Sequence, residues 1–293
     1  MKIAAIDVGT NSTRLMVAQI SPSGKVQPEL RDLKTTRLGQ GIQGGLLIQA
    51  AIDRTLAVIA EFALRAERAG AQKIVVAATS AVRDADNREE FANRVHSATG
   101  LDLAILSGSM EARLSFQGVT NALGDIGNAL VIDIGGGSTE FIWQSAGETR
   151  FVSTNVGAVR ATESGCGNDK IREIIDDTLR AVQLDDPGEV IGVGGTITTL
   201  AAMAQLMRHY LPEKIHGFRL TLDKVDELYR LLNNMTIEER KRLPGLQPQR
   251  ADIIPYGTCI LSTILHGLAR DSLLVSEADI LEGLIWEAAF NAD

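Results

Sequence analysis

Ile6-Asp7-Val8-Gly9-Thr10-Asn11-Ser12-Thr13 and Ile132-Asp133-Ile134-Gly135-Gly136-Gly137-Ser138-Thr139 agree at five of eight positions, 126 residues apart. Each octet lies between apolar stretches, Ile3–Ile6 and Leu15–Ile20 for the first, Ala129–Ile132 and Thr139–Trp143 for the second. Each therefore reads as strand, turn, strand at the head of one half of the chain. Asp, Gly, Ser and Thr recurring in register mark a duplicated domain with a duplicated loop rather than two unrelated turns.

Outward from the octets the two halves alternate strands and helices. In the first half, Val26–Thr35 and Lys73–Ala78 read as strands. Ile52, Leu56, Ile59, Ala63 and Ala66 recur at helical spacing, and Asn87–Thr99 is a helix that Gly100 stops. Leu103–Leu106 is a further strand, and Ser109 opens another helix. Gly124 and Gly127 punctuate a linker over 121–128, which gives domains of 1–124 and 125–293. The second half predicts a hairpin turn at Ser145-Ala146-Gly147-Glu148, helices near 168–183, 197–208 and 223–233, and a capping box at Thr236–Glu239. It closes with a helix (Asp252–Ala269), a strand (Leu273–Val275) and a helix (Asp279–Ala289). Mixed elements of this kind indicate an α/β class.

Composition narrows the function. At about 150 residues per domain, 293 residues suit two domains. With 45% apolar and 23% charged residues, disorder is excluded as the main state. A balance of 29 basic to 37 acidic side chains, net −8, argues against a nucleic-acid partner. Cys166 and Cys259 stand far apart and read as free thiols, not as a disulfide framework or a zinc site. No apolar run approaches the roughly 18 residues of a membrane span. Asp7 interrupts the N-terminus before any signal-type apolar region forms, so a cytoplasmic protein without a membrane partner is expected.

A tight turn rich in Gly and hydroxyls exposes backbone N–H groups suited to phosphate oxygens. Glycine lets that backbone approach an anion closely. A lone carboxylate beside phosphate would repel it, so Asp7 and Asp133 make sense with a bridging cation. Mg²⁺ is the expected one, since it takes oxygen ligands and keeps several waters. Gly192-Val193-Gly194-Gly195-Thr196, between a strand and a helix, reads equally as close packing or as a third phosphate contact.

These residues carry a resemblance. Two Asp-Gly loops leading two α/β halves resemble the actin, heat-shock chaperone and sugar-kinase superfamily. Within it the chain is most similar to the exopolyphosphatase/guanosine-pentaphosphate phosphohydrolase family. The matching motifs are the two octets with Glu140, Thr79-Ser80-Ala81-Val82-Arg83-Asp84-Ala85, Ser107-Gly108-Ser109-Met110-Glu111-Ala112-Arg113, Gly194-Gly195-Thr196, Arg250-Ala251-Asp252 and Glu282-Gly283-Leu284. The resemblance spans essentially the whole chain. Met110 departs from it, standing where the family has a second acid, and Thr10 stands where Ser is commoner.

The resemblance implies two ribonuclease-H-like (actin-like ATPase) domains with an interdomain cleft. It also implies a Mg²⁺-dependent hydrolase releasing terminal phosphate from inorganic polyphosphate, a polyanionic substrate. Guanosine pentaphosphate (pppGpp) is the alternative substrate; a superfamily kinase or a non-catalytic actin-like nucleotide sensor is more distant. A homodimer is implied as well. On chemistry alone a first-turn glutamate such as Glu111 reads first as a surface residue at a helix start, where the dipole favours its ionised form. The resemblance makes it the catalytic base. Asp133 and Glu140 are expected to serve catalysis, and Asp7 with Asp133 the metal. Gly9, Asn11, Ser12, Gly135, Gly136, Gly137, Ser138, Gly194, Gly195 and Thr196 become phosphate-loop residues. Arg83 is a candidate phosphate clamp, with Arg37 and Arg160 weaker ones. Longer family members carry helical domains beyond these two; a chain ending at Asp293 is expected to prefer short substrates.

Overall fold

A computed structural model describes residues 1–41, 44–145 and 148–290. The chain divides into two units, Met1–Asp125 with Ala278–Asp293, and Ile126–Glu277. The expected boundary lay at 124/125; the continuous part of the first unit ends at Asp125, and the chain returns to that unit at Ala278.

In the first unit, β1 (Lys2–Val8), β2 (Ser12–Ile20), β3 (Val26–Thr35), β4 (Lys73–Ala78) and β5 (Leu103–Ile105) form one sheet in the order β3-β2-β1-β4-β5. The first three strands run antiparallel, while β4 is parallel to β1 and β5 to β4. Helices α1 (Gln49–Arg68), α2 (Ser80–Arg83), α3 (Arg88–Thr99) and α4 (Gly108–Leu123) complete the continuous part. Gly100 caps α3 in the left-handed region, as its position predicts. α4 runs on to Leu123, through the start of the expected linker.

The second unit repeats this plan. Its strands are β6 (Leu130–Ile134), β7 (Thr139–Ser145), β8 (Glu148–Thr154), β9 (Val190–Val193), β10 (Arg219–Thr221) and β11 (Ser272–Val275). Their order is β10-β11-β9-β6-β7-β8, so β8-β7-β6-β9-β11 reproduces the first sheet and β10 adds an edge. Helices α5 (Ala158–Ser164), α6 (Asn168–Asp185), α7 (Gly194–Ala204), α8 (Pro212–Ile215), α9 (Leu222–Asn233), α10 (Ile237–Arg240) and α11 (Ile254–Gly267) accompany it. The capping box at Thr236 and Glu239 forms as expected. Ala146 and Gly147, the centre of the expected hairpin turn, lie outside the described residues. The duplicated octets thus head two copies of one sheet, and the ribonuclease-H-like, actin-like class holds.

The last helix, α12 (Ile280–Phe290), packs in the first unit. Side-chain alternation explains its seat, because successive strand residues point to opposite faces. Ala4, Ile6, Val8, Leu15 and Val17 join the core with α1 and α3, whereas Ile3, Ala5, Met16, Ala18 and Ile20 pack with Ile280, Leu281, Leu284 and Ile285. Gly118 of α4 and Gly283 of α12 let the two helices touch backbone to backbone. A Cβ on either would collide with the carbonyl of Asp279 or Leu114.

Candidate active site

The octets fold into matched turns. Gly9 N donates to Ser12 O at 3.0 Å, and Gly135 N to Ser138 O at 3.0 Å. That four-residue turn fixes the flanking register, so Asp7 faces Arg14 across β1 and β2, and Asp133 faces Glu140 across β6 and β7. Here the copies diverge chemically.

In the first unit the opposed pair is complementary. Asp7 shares the face of Ile3 and Ala5 that α12 covers, and its Oδ2 accepts from Arg14 Nε at 2.8 Å. Arg14 also pairs with Asp279, whose own N–H donates to Glu282 Oε2 at 3.0 Å. Leu281 N donates back to Asp279 Oδ1, and Glu282 Oε1 meets Arg31 at 2.5 Å. Burial pushes the Asp7 carboxyl up against the pull of Arg14. Burial also pushes Glu282 up to about 7, with Asp279 adding to the rise and Arg31 opposing it. Sequence reasoning missed Arg14, Asp279 and Arg31, and took Glu282 only as part of the motif Glu282-Gly283-Leu284. Only the Asp7–Arg14 pairing carried a signal, through the turn length. Asp7, expected at a metal, already has a guanidinium on its Oδ2.

The same unit gathers the other motifs around the first loop. Thr10 Oγ1 and Ser80 Oγ are 2.9 Å apart, which ties the loop to the start of α2, and Arg83 ends that helix. Arg83 Nη1 lies 2.7 Å from Glu111 Oε2 and donates to the Leu106 carbonyl at 3.2 Å. Glu111 is buried in the first turn of α4, whose N-cap Ser107 accepts from Met110 N. The expected base and the expected clamp are therefore partners. Asn11 Nδ2 donates to Ser12 Oγ at 3.1 Å.

In the second unit the opposed pair is like-charged. Asp133 and Glu140 share the sheet face opposite Ile132 and Phe141, and Glu140 Oε1 accepts from Ser153 Oγ at 2.7 Å. Like charges directly opposed on a sheet are destabilising unless a cation or proton offsets them. Ser138 is 1% exposed and its Oγ has no hydrogen-bond partner among the described residues, a group that calls for a ligand. Asp133 also reaches the start of α7. A Cβ on Gly194, whose φ is +87°, would lie 2.5 Å from Asp133 Oδ1. A Cβ on Gly195 would lie 2.5 Å from Arg250 Nη1, so these glycines admit a carboxylate and a guanidinium against the backbone. Thr196 is buried and packs on Gly257. Arg160 donates through Nε to the Gly137 carbonyl at 2.8 Å. Arg37 lies beside the first loop, its N–H donating to Asn11 O. Among the described residues no group of three or more His, Cys, Asp or Glu forms a ready metal cluster.

The motifs, the twofold repeat and the loop geometry agree with a family model that matches residues 16–291, the Ppx/GppA phosphatase family. The chain belongs to the Ppx/GppA phosphatase family. As a member of this phosphatase family it is a hydrolase. It is 34% identical to exopolyphosphatase 2 of Mycobacterium tuberculosis, over 97% of both chains. It is equally identical to a bifunctional 3-dehydroquinate synthase/phosphatase of Fusobacterium nucleatum, of which it spans 46%. Among solved structures, the Ppx/GppA family member from Aquifex aeolicus superposes with a TM-score of 0.82 at 30% identity, covering 99% of this chain and 98% of that one. An exopolyphosphatase from Cytophaga hutchinsonii gives 0.91 at 26% identity, covering 100% and 99%.

Proposed function

We propose that this Ppx/GppA protein is an exopolyphosphatase that hydrolyses the terminal phosphoanhydride of inorganic polyphosphate with Mg²⁺. The observation that carries the reading is the like-charge pair of half-buried Asp133 and buried Glu140, beside a glycine loop whose Ser138 hydroxyl has no hydrogen-bond partner among the described residues. Full-length similarity to exopolyphosphatase 2 supports the substrate class.

Two carboxylates on one sheet face fit Mg²⁺, which binds through one or two carboxylates and fills its shell with water and phosphate oxygens. Asp133 and Glu140 are the residues that would hold it. When bound, Mg²⁺ would neutralise charge on the phosphoryl oxygens. The protein's own groups do the rest. Ser138 Oγ and the amides of Gly136 and Gly137 donate to phosphate oxygens. In the first unit Glu111 is the proposed general base, and its ion pair with Arg83 at 2.7 Å orients that carboxylate. The chemistry asks chiefly for positioning and charge stabilisation, so a weak base suffices. The same reading takes the protein as a cytoplasmic homodimer. Among the described residues no helix is long and apolar enough to cross a membrane.

The deciding experiment is phosphate release measured side by side on short polyphosphate, long polyphosphate and pppGpp, with EDTA and with Mg²⁺ restored. Release from polyphosphate that EDTA abolishes and Mg²⁺ restores is expected. Release from pppGpp alone would move the substrate to the guanosine nucleotide, and none from any of the three would remove the hydrolase assignment.

A further inference from the structure

The backbone of both loops has one polarity. In the first unit the carbonyls of Thr10 and Asn11 accept from the amides of Gly39 and Arg37, each at 2.8 Å. In the second, the carbonyls of Gly135 and Gly136 accept from the amides of Ala158 (3.0 Å) and Val159 (2.8 Å), and that of Gly137 from Arg160 Nε (2.8 Å). Among the described residues, the amides of Thr10, Asn11, Gly136 and Gly137 donate to no backbone carbonyl.

All of these donors sit on the segment that follows the third strand of each sheet. A threonine of the second strand anchors that segment in both copies, Thr13 Oγ1 to Thr36 Oγ1 at 3.1 Å and Thr139 Oγ1 to Val156 O at 2.6 Å. Counted from these anchors, Gly39 N to Thr10 O and Val159 N to Gly136 O are one bond in two copies. The octets repeat as sequence, yet the segments behind them do not, Arg37-Leu38-Gly39 standing against Gly157-Ala158-Val159. Both fit tightly. A Cβ on Gly39 would collide with the Thr10 side chain, and one on Gly157 would lie 2.6 Å from the Gly136 carbonyl oxygen.

A turn whose carbonyls are tied from behind presents its amides outward, the arrangement an anion needs. We propose that these two segments are straps that aim the phosphate loops, and that Arg160 is a positioning residue acting through the Gly137 carbonyl rather than a charge gripping phosphate. The inference rests on the phosphate-loop reading above and adds what orients the loop.

Arg160→Gln and Arg160→Met separate the two roles. Gln Nε2 stands as many bonds from Cα as Arg Nε, so it keeps the donor and drops the charge. Met keeps the apolar stem and has neither, and Arg160→Ala is a second truncation. Binding of a methylene-bridged triphosphate to the full chain is measured by calorimetry, with KM, kcat and melting temperature alongside. Met and Ala should weaken binding and raise KM by about tenfold, the scale of one hydrogen bond, with kcat within about threefold. Gln should restore both to within about threefold of wild type. Truncations that bind as wild type does, or a Gln variant as weak as Met, would overturn the strap role; so would wild-type protein that does not bind the analogue. Wild type that binds it but releases no phosphate from any substrate defeats the proposed function alone, and the binding comparison still decides the strap.

Discussion

At Glu111 the carboxylate is buried, sits at a helix start and is 2.7 Å from Arg83. Replacing it with Gln keeps the shape and removes the proton acceptor. Glu111→Gln is expected to lose roughly 10²–10⁴-fold in kcat, the share of a general base, with substrate affinity kept within a few-fold. Turnover near wild type would end its assignment as base. Arg14 makes a different demand, because it bridges two buried carboxylates, Asp7 and Asp279. Arg14→Met strands both, and breaking a buried pair from one side costs about 3–5 kcal/mol. Denaturant unfolding of the variant should show a loss of that size; a loss under about 1 kcal/mol would mean the pair is solvated. Much of this was legible in sequence. The octets gave Asp7, Asp133, the glycines and Ser138, and a four-residue turn implies that positions 7 and 14 oppose. Asp279 was not legible, because 265 residues separate it from Arg14 and only tertiary packing joins them.

Among elements, α12 shows where local pattern ends and packing begins. Its helical character was readable from 279–289, but its return to the first unit was not. That depends on Gly118 and Gly283 facing each other's helix, a pairing between residues far apart in sequence. α5 escaped for the opposite reason, being short and half polar with no clean period, and β8 was implied only through the expected hairpin turn. Gly118→Ala should force α4 from α12 and destabilise by about 1–3 kcal/mol, as overpacking does. An unchanged melting temperature would refute the close crossing. The N-terminus of α12 also holds Glu282, pushed up to about 7 by burial. A raised carboxyl keeps its proton in the folded state over a range where the unfolded chain has released it. Its contribution is therefore complete at low pH and lost as pH rises towards 7. Melting temperature measured from about pH 5 to 8 should fall more steeply for wild type than for Glu282→Gln. Parallel curves would show that Glu282 titrates alike in both states.

For the whole molecule, duplication has produced two loops of one shape with opposite surroundings, a guanidinium facing Asp7 and a carboxylate facing Asp133. The groups assigned to phosphate are confined to these short turns and a few nearby side chains. No global field extends their reach, because 37 acidic side chains outnumber 29 basic ones and the net charge of −8 repels a polyanion. On the proposed reading a long polyphosphate should be held only at its end, and affinity should stop growing once the chain exceeds that footprint. If each cleavage shortens a chain that is held only at its end, release between cuts should compete with the next turnover. Added salt should relieve the repulsion and hold long chains somewhat better, the reverse of a basic-groove enzyme. Long polyphosphate digested under limiting enzyme and sampled on a gel should pass through a ladder of gradually shortening chains. Full-length chains giving way directly to end products, with no intermediates, would mean that the protein grips the polymer along its length and would defeat the short-footprint reading.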